Sequence, residues 1–178
     1  MLTGKRIKLR PLRQEDLIHT MNWRNDPEIK ASTMMHPFPV SLELEEDWFS
    51  GLQNTGNRAV WFAIEFIDSD APIGFIFLNN IRWVERNCCL GILIGEKTQQ
   101  GSGIGKEAMD LLIDYAFKAL NLRKISLEVR TDNKAALLLY EKIGFRKEGT
   151  LKDHYYSAGK YHDALILSLF NTGLSDGR

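Results

Sequence analysis

Several features that mark special classes of protein are scarce in this sequence of 178 residues. Its two cysteines, Cys88 and Cys89, are adjacent, which suits neither a disulfide framework nor a zinc site. The four histidines show no ligand-like spacing, so we expect no metal. No apolar run resembles a signal peptide or a membrane-spanning helix. These absences favour a protein of a reducing compartment, and we expect a cytoplasmic location.

An excess of charge of either sign is also missing. Lysine and arginine together number 23, as do aspartate and glutamate, so the formal net charge is zero. This balance gives no electrostatic reason to expect nucleic acid or an anionic membrane as a partner. Internal repeats and linkers rich in proline, glycine or serine are lacking too. The chain is therefore predicted to be one domain, residues 1–178, with a polar tail over residues 171–178.

Glycine, by contrast, is concentrated within residues 91–105. An apolar strand is predicted to end near Gly95, and glycines at 101, 103 and 105 lead into a long amphipathic helix. Glycine permits positive φ and leaves backbone N–H groups accessible to a ligand. The N-terminus of a helix adds unpaired N–H donors and a partial positive charge. The stretch therefore predicts a binding site for a phosphate or pyrophosphate group.

Two interpretations of this stretch are a Walker loop and a simple turn. A Walker loop would require glycine in place of Gln100 and serine or threonine in place of Glu107, so the sequence departs from that motif twice. A glycine-rich turn that merely precedes a helix is the simplest alternative.

Two further interpretations name a cofactor. The pattern Gly103-x-Gly105-x-x-Ala108, followed by Glu128, resembles a dinucleotide fingerprint. That fingerprint requires its first glycine directly after the strand, whereas seven residues intervene here. The other pattern, Gln100-x-x-Gly103-x-Gly105, is interpreted as a loop that binds the pyrophosphate of a cofactor. The rest of the chain must decide between these readings.

The spacing of apolar residues predicts a chain of the α/β class. We expect a mixed, mostly antiparallel sheet of about seven strands, flanked by about four helices. The predicted strands are 6–12, 59–67, 73–83, 88–94, 124–130, 146–156 and 161–170. The predicted helices are 13–24, one that is capped by Ser41 and breaks around residues 54–56, 104–120 and 133–143.

A second motif follows the glycine-rich one. It consists of the strand Ile125-Ser-Leu-Glu-Val129 and the helix Asn133-Lys-Ala-Ala-Leu-Leu-Leu-Tyr-Glu-Lys-Ile-Gly-Phe145. With both motifs in this order, the chain resembles the GNAT N-acetyltransferases from Arg6 to Phe170. Two shorter stretches resemble the branch of ribosomal-protein N-terminal, spermidine and amino-sugar acetyltransferases: Trp23-Arg-Asn-Asp26 and Gly159-Lys160-Tyr161-x-Asp163. The resemblance implies a single-domain GNAT-like fold whose central strands splay apart.

The resemblance also implies that acetyl-CoA is the cosubstrate. Its pantetheine would lie in the gap between the splayed strands, pairing as an extra strand would. Asn133 matches a CoA-contacting asparagine, although it could equally cap the helix that begins there. The cofactor-binding residues implied by the resemblance are Leu93, Ile94, Gln100, Gly101, Ser102, Gly103, Ile104, Gly105 and Asn133.

Tyr140 matches the tyrosine that protonates the leaving thiolate in many relatives; the alternative is an aromatic residue packed under the cofactor. Relatives often place the general base where Cys89 stands here, and a thiol is a poor proton relay. Glu96 and His154 are alternative bases, as is ordered water with backbone carbonyls. The amine is expected to attack directly in a ternary complex, with the N–H groups of Leu93 and Ile94 stabilising the oxyanion.

The acceptor is expected to be a small amine or a nucleotide-linked amino sugar. Arg24 and Lys160 favour a phosphate-bearing amino sugar or an acidic peptide, whereas the acids within residues 43–47 favour a polyamine. The residues predicted to surround the acceptor are Trp23, Arg24, Asn25, Met35, His36, Phe38, His154 and Lys160.

Other functions stay open at this point. The acceptor could be a protein N-terminus or a polyamine, and the fold could serve as a non-catalytic acyl-CoA-binding module. A dinucleotide-dependent oxidoreductase is a third class. The sequence allows a homodimer without containing a pattern that requires one.

Overall fold

The computed structural model describes residues 1–33, 38–52, 54 and 56–173, except for the side chain of Ser32. These residues form eight strands and five α-helices. In chain order they are β1 (Leu2–Thr3), β2 (Ile7–Pro11), α1 (Leu17–Asn25), α2 (Pro27–Ser32), α3 (Leu42–Leu52), β3 (Val60–Phe66), β4 (Pro72–Arg82), β5 (Asn87–Ile94), α4 (Ile104–Lys118), β6 (Lys124–Arg130), α5 (Lys134–Ile143), β7 (Arg146–Ser157) and β8 (Lys160–Phe170).

The described residues contain one strand and one helix more than the sequence predicted. The extra strand is β1, a two-residue segment paired with β2. The extra helix is α2, which was missed because Pro27 was interpreted only as the end of a helix. Asp26 caps the new helix, since its side chain accepts hydrogen bonds from the N–H groups of Glu28 and Ile29 at 2.9 and 3.1 Å. Proline is well suited to the first helical position because its missing N–H needs no partner there.

The strands form one sheet in the order β1-β2-β3-β4-β5-β6-β8-β7. Within the described sheet, all neighbouring strands are antiparallel except the central pair β5 and β6. That parallel pair is short, because it joins Asn87–Cys89 to Lys124–Ser126 and goes no further. Beyond these residues β5 and β6 separate. The α/β class, the mixed sheet and the splayed central strands are thereby confirmed.

The two faces of the sheet are covered differently. On one face, Cys88 and Leu90 of β5 and Ile125 and Leu127 of β6 join the main core with apolar residues of α4. On the other face a smaller cluster unites Trp23, Ile29, Phe75 and Leu93. Since successive residues of a strand point to opposite faces, the alternate residues of β5 and β6 belong to this second side.

A buried ion cluster fixes the start of α1 to the sheet. Arg10 of β2 donates to both carboxylate oxygens of Asp16, at 2.7 and 2.8 Å, and also pairs with Glu65 of β3. The three side chains are at most 4% exposed. Hydrogen bonding to Asp16 raises the pKa of Arg10, so the cation is permanent.

In the described parts of the chain, no helix has the length and apolar character needed to cross a membrane.

Candidate active site

A cavity of about 500 Å³ opens where β5 and β6 part. Side chains from both central strands, from α5 and from the second face of the sheet line it. They include Arg24, Trp48, Trp61, Phe75, Phe77, Asn79, Cys89, Leu93, Ser126, Glu128, Arg130, Asn133 and Tyr140.

The glycine loop lies at the end of β5, outside the lining of this cavity. Gly101 and Gly103 have φ values of +75° and +85°, which favour glycine. Gly103 is the N-cap of α4, and the first helical hydrogen bond runs from the Glu107 N–H to its carbonyl at 3.2 Å. The preceding amides of the first turn, those of Ile104 and Gly105 among them, have no partner from the helix itself. The arrangement suits an anion at the start of α4.

Side chains hold this loop in place. The Gln100 amide donates to the Ile94 carbonyl at 2.9 Å, and the Ser102 hydroxyl donates to the Gln99 carbonyl at 2.6 Å. Arg6 donates to the Ser102 carbonyl at 3.0 Å and forms an ion pair with Glu107 at 2.9 Å. Gln100 and Ser102 therefore shape the loop with their side chains and leave its backbone to face a ligand.

Helix α5 carries two of the predicted residues into the cavity. The Asn133 side chain caps the helix by accepting the Ala136 N–H at 3.1 Å, and it also lines the cavity. Tyr140 lies two turns further on. Burial raises the pKa of Tyr140 to about 12. Its phenol therefore keeps its proton throughout the neutral range and can donate it to a developing anion.

Cys89 occupies the position at which the family resemblance implied a general base. Asn79, Cys89 and Ser126 lie side by side on β4, β5 and β6 at the end of the paired region. The Cys89 thiol and the Ser126 hydroxyl are 3.5 Å apart. Among the described residues, Asn79 Oδ1 is the one buried side-chain oxygen or nitrogen without a hydrogen-bond partner. A ligand with an N–H group would satisfy it.

The polar face of β6 is a functional feature that the sequence reasoning missed. All five residues from Ser126 to Arg130 contribute to the cavity lining, but only Leu127 and Val129 also belong to the main core, which leaves Ser126, Glu128 and Arg130 as the polar side of the strand. The signal was present as period-two alternation within Ser-Leu-Glu-Val-Arg. The strand was interpreted only as part of a family motif, so its outward residues received no role.

An aromatic wall, defined as Trp48, Trp61, Phe75 and Phe77, was also missed. The Trp61 and Phe77 rings stack with centroids 3.8 Å apart, and Trp48 meets Trp61 edge-on at 4.9 Å. The wall combines residues of α3, β3 and β4, and no local pattern distinguishes them from core aromatics. Gly91 makes room for it, because a Cβ there would lie 2.2 Å from the Phe77 ring.

Arg24 lies against the aromatic wall with its charge already paired. Its guanidinium donates to both oxygens of Glu45 at 3.1 and 3.2 Å and lies 5.5 Å from the Trp48 ring centre. The Glu45 side chain is 0% exposed. Burial raises the pKa of Glu45, and the Arg24 cation opposes that rise.

The other predicted acceptor residues lie in different environments. Trp23 is buried in the smaller core cluster and donates to Glu96 at 3.3 Å. Asn25 exchanges hydrogen bonds of 2.7 and 2.9 Å with the Val40 backbone. Phe38 is 63% exposed. His154 and Lys160 lie on β7 and β8, outside the cavity lining. Met35 and His36 fall outside the described residues, and the acceptor roles of all these positions stay predictions.

Clusters of metal-binding side chains are not found among the residues that the structure describes. The site combines three features: the separation of β5 and β6, a glycine loop with accessible backbone amides at the end of β5, and the protonated phenol of Tyr140 in the cavity between the strands. Together they fit a class of proteins that bind a phosphate-bearing ligand where a sheet splays open.

Comparison with known proteins places the chain in one family. The acetyltransferase (GNAT) domain family matches residues 6–146, so the chain belongs to this family and is an N-acetyltransferase. The spermidine N(1)-acetyltransferase of Escherichia coli strain K12 is 30% identical over 170 residues, which cover 96% of this chain and 89% of that protein.

Two further relatives cover different shares of the chain. A crystal structure of the Vibrio cholerae spermidine N-acetyltransferase in complex with CoA and spermine is 29% identical, with a TM-score of 0.85 over 92% of this chain and 95% of that one. A putative ribosomal N-acetyltransferase of Bacillus subtilis is 35% identical over 96 residues, or 54% of this chain and 52% of that protein.

Proposed function

We propose that this enzyme transfers the acetyl group of acetyl-CoA to a small cationic primary amine, most favourably a linear polyamine, by direct attack in a ternary complex. The observation that carries the proposal is the opening between β5 and β6, which has the glycine loop at the end of β5 and Tyr140 inside. The amides of residues 101–105 would bind the pyrophosphate.

Pantetheine would pair with the free edge of β5. The Gly95 N–H bonds to the Ile73 carbonyl of β4 at 2.9 Å. Because backbone groups of alternate residues point to opposite neighbours, those of Ile94 point to the open side, where its carbonyl accepts the Gln100 side chain. Of the two amides predicted to stabilise the oxyanion, the one of Ile94 has the suitable direction, while Leu93 contributes its side chain to the cavity.

The charges around the cavity favour a cation as acceptor. Arg24 is neutralised by Glu45, and Arg130 is paired with Asp132 at 2.6 Å. The carboxylate of Glu128 is hydrogen-bonded by the neutral Tyr155 hydroxyl. Arg24 and Glu45 cancel, as do Arg130 and Asp132, so the charge left among these groups is the single negative charge of Glu128, beside an aromatic wall that attracts cations.

The ion pair between Arg24 and Glu45 changes which acceptor the cavity favours. The sequence favoured a nucleotide-linked amino sugar because Arg24 and Lys160 were expected to meet a phosphate. Arg24 has its own anion, and Lys160 is the first residue of β8, outside the cavity lining. Relatives named for spermidine acetylation support the polyamine alternative. An amino sugar is the second candidate, since the aromatic rings that line the cavity suit contact with a sugar ring.

The test is the release of free CoA thiol from acetyl-CoA with a panel of acceptors: linear diamines and polyamines, nucleotide-linked amino sugars, and peptides with free N-termini. We expect the largest kcat/KM with a linear polyamine. Fastest turnover of an amino sugar would replace the acceptor class. Binding of acetyl-CoA without turnover of any amine would instead indicate the non-catalytic acyl-CoA-binding alternative.

We also propose that the enzyme self-associates; the sequence allowed a homodimer without requiring one. One structure of the Vibrio cholerae relative, 29% identical with a TM-score of 0.78 over 92% of this chain, is described as dodecameric. Sedimentation at several protein concentrations would distinguish a monomer, a dimer and a larger assembly.

A further inference from the structure

Asn79 differs from the other polar side chains at this site because the fold gives it no partner. Its Oδ1 is buried, and it is the one such side-chain oxygen or nitrogen without a hydrogen bond among the described residues. Its Nδ2 makes no hydrogen bond to the described parts of the chain either. A polar group that is shielded from water and left unpaired costs free energy, and folded proteins contain few of them. The polarity of Asn79 therefore does not serve the stability of the fold.

Asn79 lies at the closed end of the opening between β5 and β6. It is paired with Cys89 across β4 and β5, and the register of these strands shifts immediately afterwards, between Asn79 and Arg82. Cys89 and Ser126 form the last pair that joins β5 to β6. The side chains of Asn79, Cys89 and Ser126 line the same cavity as Tyr140. The unpaired amide is thus placed where the two central strands begin to part.

The neighbouring side chains leave this amide free to turn. The Ser126 hydroxyl donates to the Cys88 carbonyl at 3.0 Å and lies 3.5 Å from the Cys89 thiol. Phe77, two residues earlier on the same face of β4, offers only an aromatic ring. Rotation about the terminal torsion of Asn79 therefore breaks no hydrogen bond, and it can present the amide oxygen to the cavity.

We propose that Asn79 is an acceptor-binding residue whose side-chain oxygen accepts an N–H hydrogen bond from the primary amine, a proposal that rests on the N-acetyltransferase function above. An amine that attacks a thioester as the free base carries two N–H groups and must direct its lone pair at the carbonyl carbon. An oxygen held by β4 fixes one N–H and thereby orients the lone pair. As the N–C bond forms, the nitrogen becomes positive, and the dipole of the amide oxygen stabilises that charge.

Asn79 exchanges no proton in this scheme. The nitrogen lone pair forms the N–C bond, and the C–S bond breaks as Tyr140 protonates the sulfur. The surplus proton on nitrogen passes to solvent, and solvent returns a proton to Tyr140. Asn79 acts only by holding the nitrogen in the attacking geometry and by favouring its positive charge.

A binding role for Asn79 makes stability and catalysis respond in opposite directions. Leucine has a similar size and no polar group, so Asn79→Leu removes an unpaired amide and breaks no hydrogen bond within the described residues. The variant should be more stable than the parent and less active. A residue that serves only the fold would lower both stability and activity when it is replaced.

The test compares Asn79→Leu with the parent, using acetyl-CoA and the amine that the parent acetylates fastest. We expect kcat/KM for the amine to fall about tenfold or more, because a hydrogen bond to a nitrogen that becomes charged is lost. The affinity for acetyl-CoA should be unchanged, and the melting temperature should rise by about 2 °C or more. Asn79→Asp keeps an acceptor oxygen and should retain more of the parental kcat/KM than Asn79→Leu.

The matched control is Asn22→Leu, because Asn22 is exposed on α1 and lies outside the cavity lining, so its kinetics should match those of the parent. A parental kcat/KM in Asn79→Leu would overturn the assignment. A loss of activity accompanied by a lower melting temperature or by weaker acetyl-CoA binding would also overturn it, since Asn79 would then serve the fold. If the parent acetylates no amine, the proposed function fails and takes this assignment with it, whereas a parent that turns over isolates the role of Asn79.

Discussion

The glycine loop, our proposed donor side, and the cavity walls, our proposed acceptor side, are built in different ways. On the donor side, a loop of glycines and the first turn of α4 offer backbone amides, and side chains such as Gln100 only hold the loop in shape. On the acceptor side, the walls are side chains of α1, α3, β3, β4 and β6. A backbone site restricts residue types at consecutive positions, whereas a side-chain site gathers residues from distant positions.

Because the two sides are built from different groups, variants on each side should affect different kinetic and binding constants. Changes to the donor side should alter acetyl-CoA binding with every acceptor, while changes to the acceptor wall should leave acetyl-CoA binding intact. Tyr140 lies where the two sides meet and should affect the chemical step with little effect on binding.

The largest effect is expected from Gly103→Val. Valine is strained at a φ of +85°, and its side chain would stand beside the amides that we propose bind the pyrophosphate. Acetyl-CoA should no longer raise the melting temperature, and NAD should not raise it in either protein. The control is Gly159→Val, which has a φ of +79° in the turn between β7 and β8 and should bind acetyl-CoA normally. Parental affinity in Gly103→Val would refute the pyrophosphate site.

Tyr140→Phe should lower kcat about a hundredfold or more while acetyl-CoA affinity stays nearly unchanged, because the proton for the leaving thiolate is lost. Since burial raises the pKa of Tyr140 to about 12, the parent's kcat should show no loss from ionisation of this phenol at pH 9 to 10. The matched control is Tyr156→Phe, because the Tyr156 side chain of β7 is exposed to solvent. An effect on KM alone would mean that Tyr140 merely packs.

Arg24→Ala should lower the free energy of unfolding by about 3 kcal/mol, because it leaves the buried Glu45 carboxylate without its cation. A carboxyl group whose pKa is raised in the folded state stabilises the fold at low pH and loses that contribution as pH rises through the raised pKa. The deficit of Arg24→Ala should therefore be larger at pH 7 than at pH 4 in denaturant titrations. Arg24→Ala combined with Glu45→Gln should recover stability at pH 7; a deficit independent of pH would contradict this account.

A smaller effect is expected from Trp48→Leu on the aromatic wall. Loss of a cation–π contact of about 1 kcal/mol should raise the acceptor KM about fivefold for a polyamine, with acetyl-CoA affinity unchanged. Trp83→Leu is the control, because Trp83 is half-exposed in the turn after β4 and lies outside this cavity. Equal KM values in the two variants would place the acceptor elsewhere.

Lys160→Ala should change least. Lys160 is the first residue of β8 and lies outside the cavity lining, so kinetics with a polyamine should match those of the parent. With a nucleotide-linked amino sugar, a raised KM in Lys160→Ala would revive the sequence-based role of this residue in phosphate binding.

The sequence predicted most of the fold because its strands and helices have clear periodicity and stops. The predicted strand 124–130 and the helix closed by Gly144 correspond to β6 and α5. Helix α2 was missed because a proline can either follow the end of one helix or begin the next. Pro27 does both, and the cap formed by the Asp26 side chain is what shows that a new helix begins there.

The acceptor side was less predictable for a physical reason. Trp61 and Phe77 face each other because β3 and β4 pair in one register, and a sequence does not state that register. Arg24 looked like a free cation until its buried partner Glu45, 21 positions along the chain, was placed beside it. Charge pairing across elements decides what an acceptor meets, and it depends on the folded geometry.

Hydrogen–deuterium exchange with and without acetyl-CoA tests the central claim most directly. The claim is that acetyl-CoA occupies the opening between β5 and β6, with its pyrophosphate on the glycine loop. We expect slower exchange at the amides of residues 90–94 and 101–105, and little change in the paired ends at 87–89 and 124–126. Protection confined to other parts of the sheet, or none at saturating acetyl-CoA, would contradict the claim.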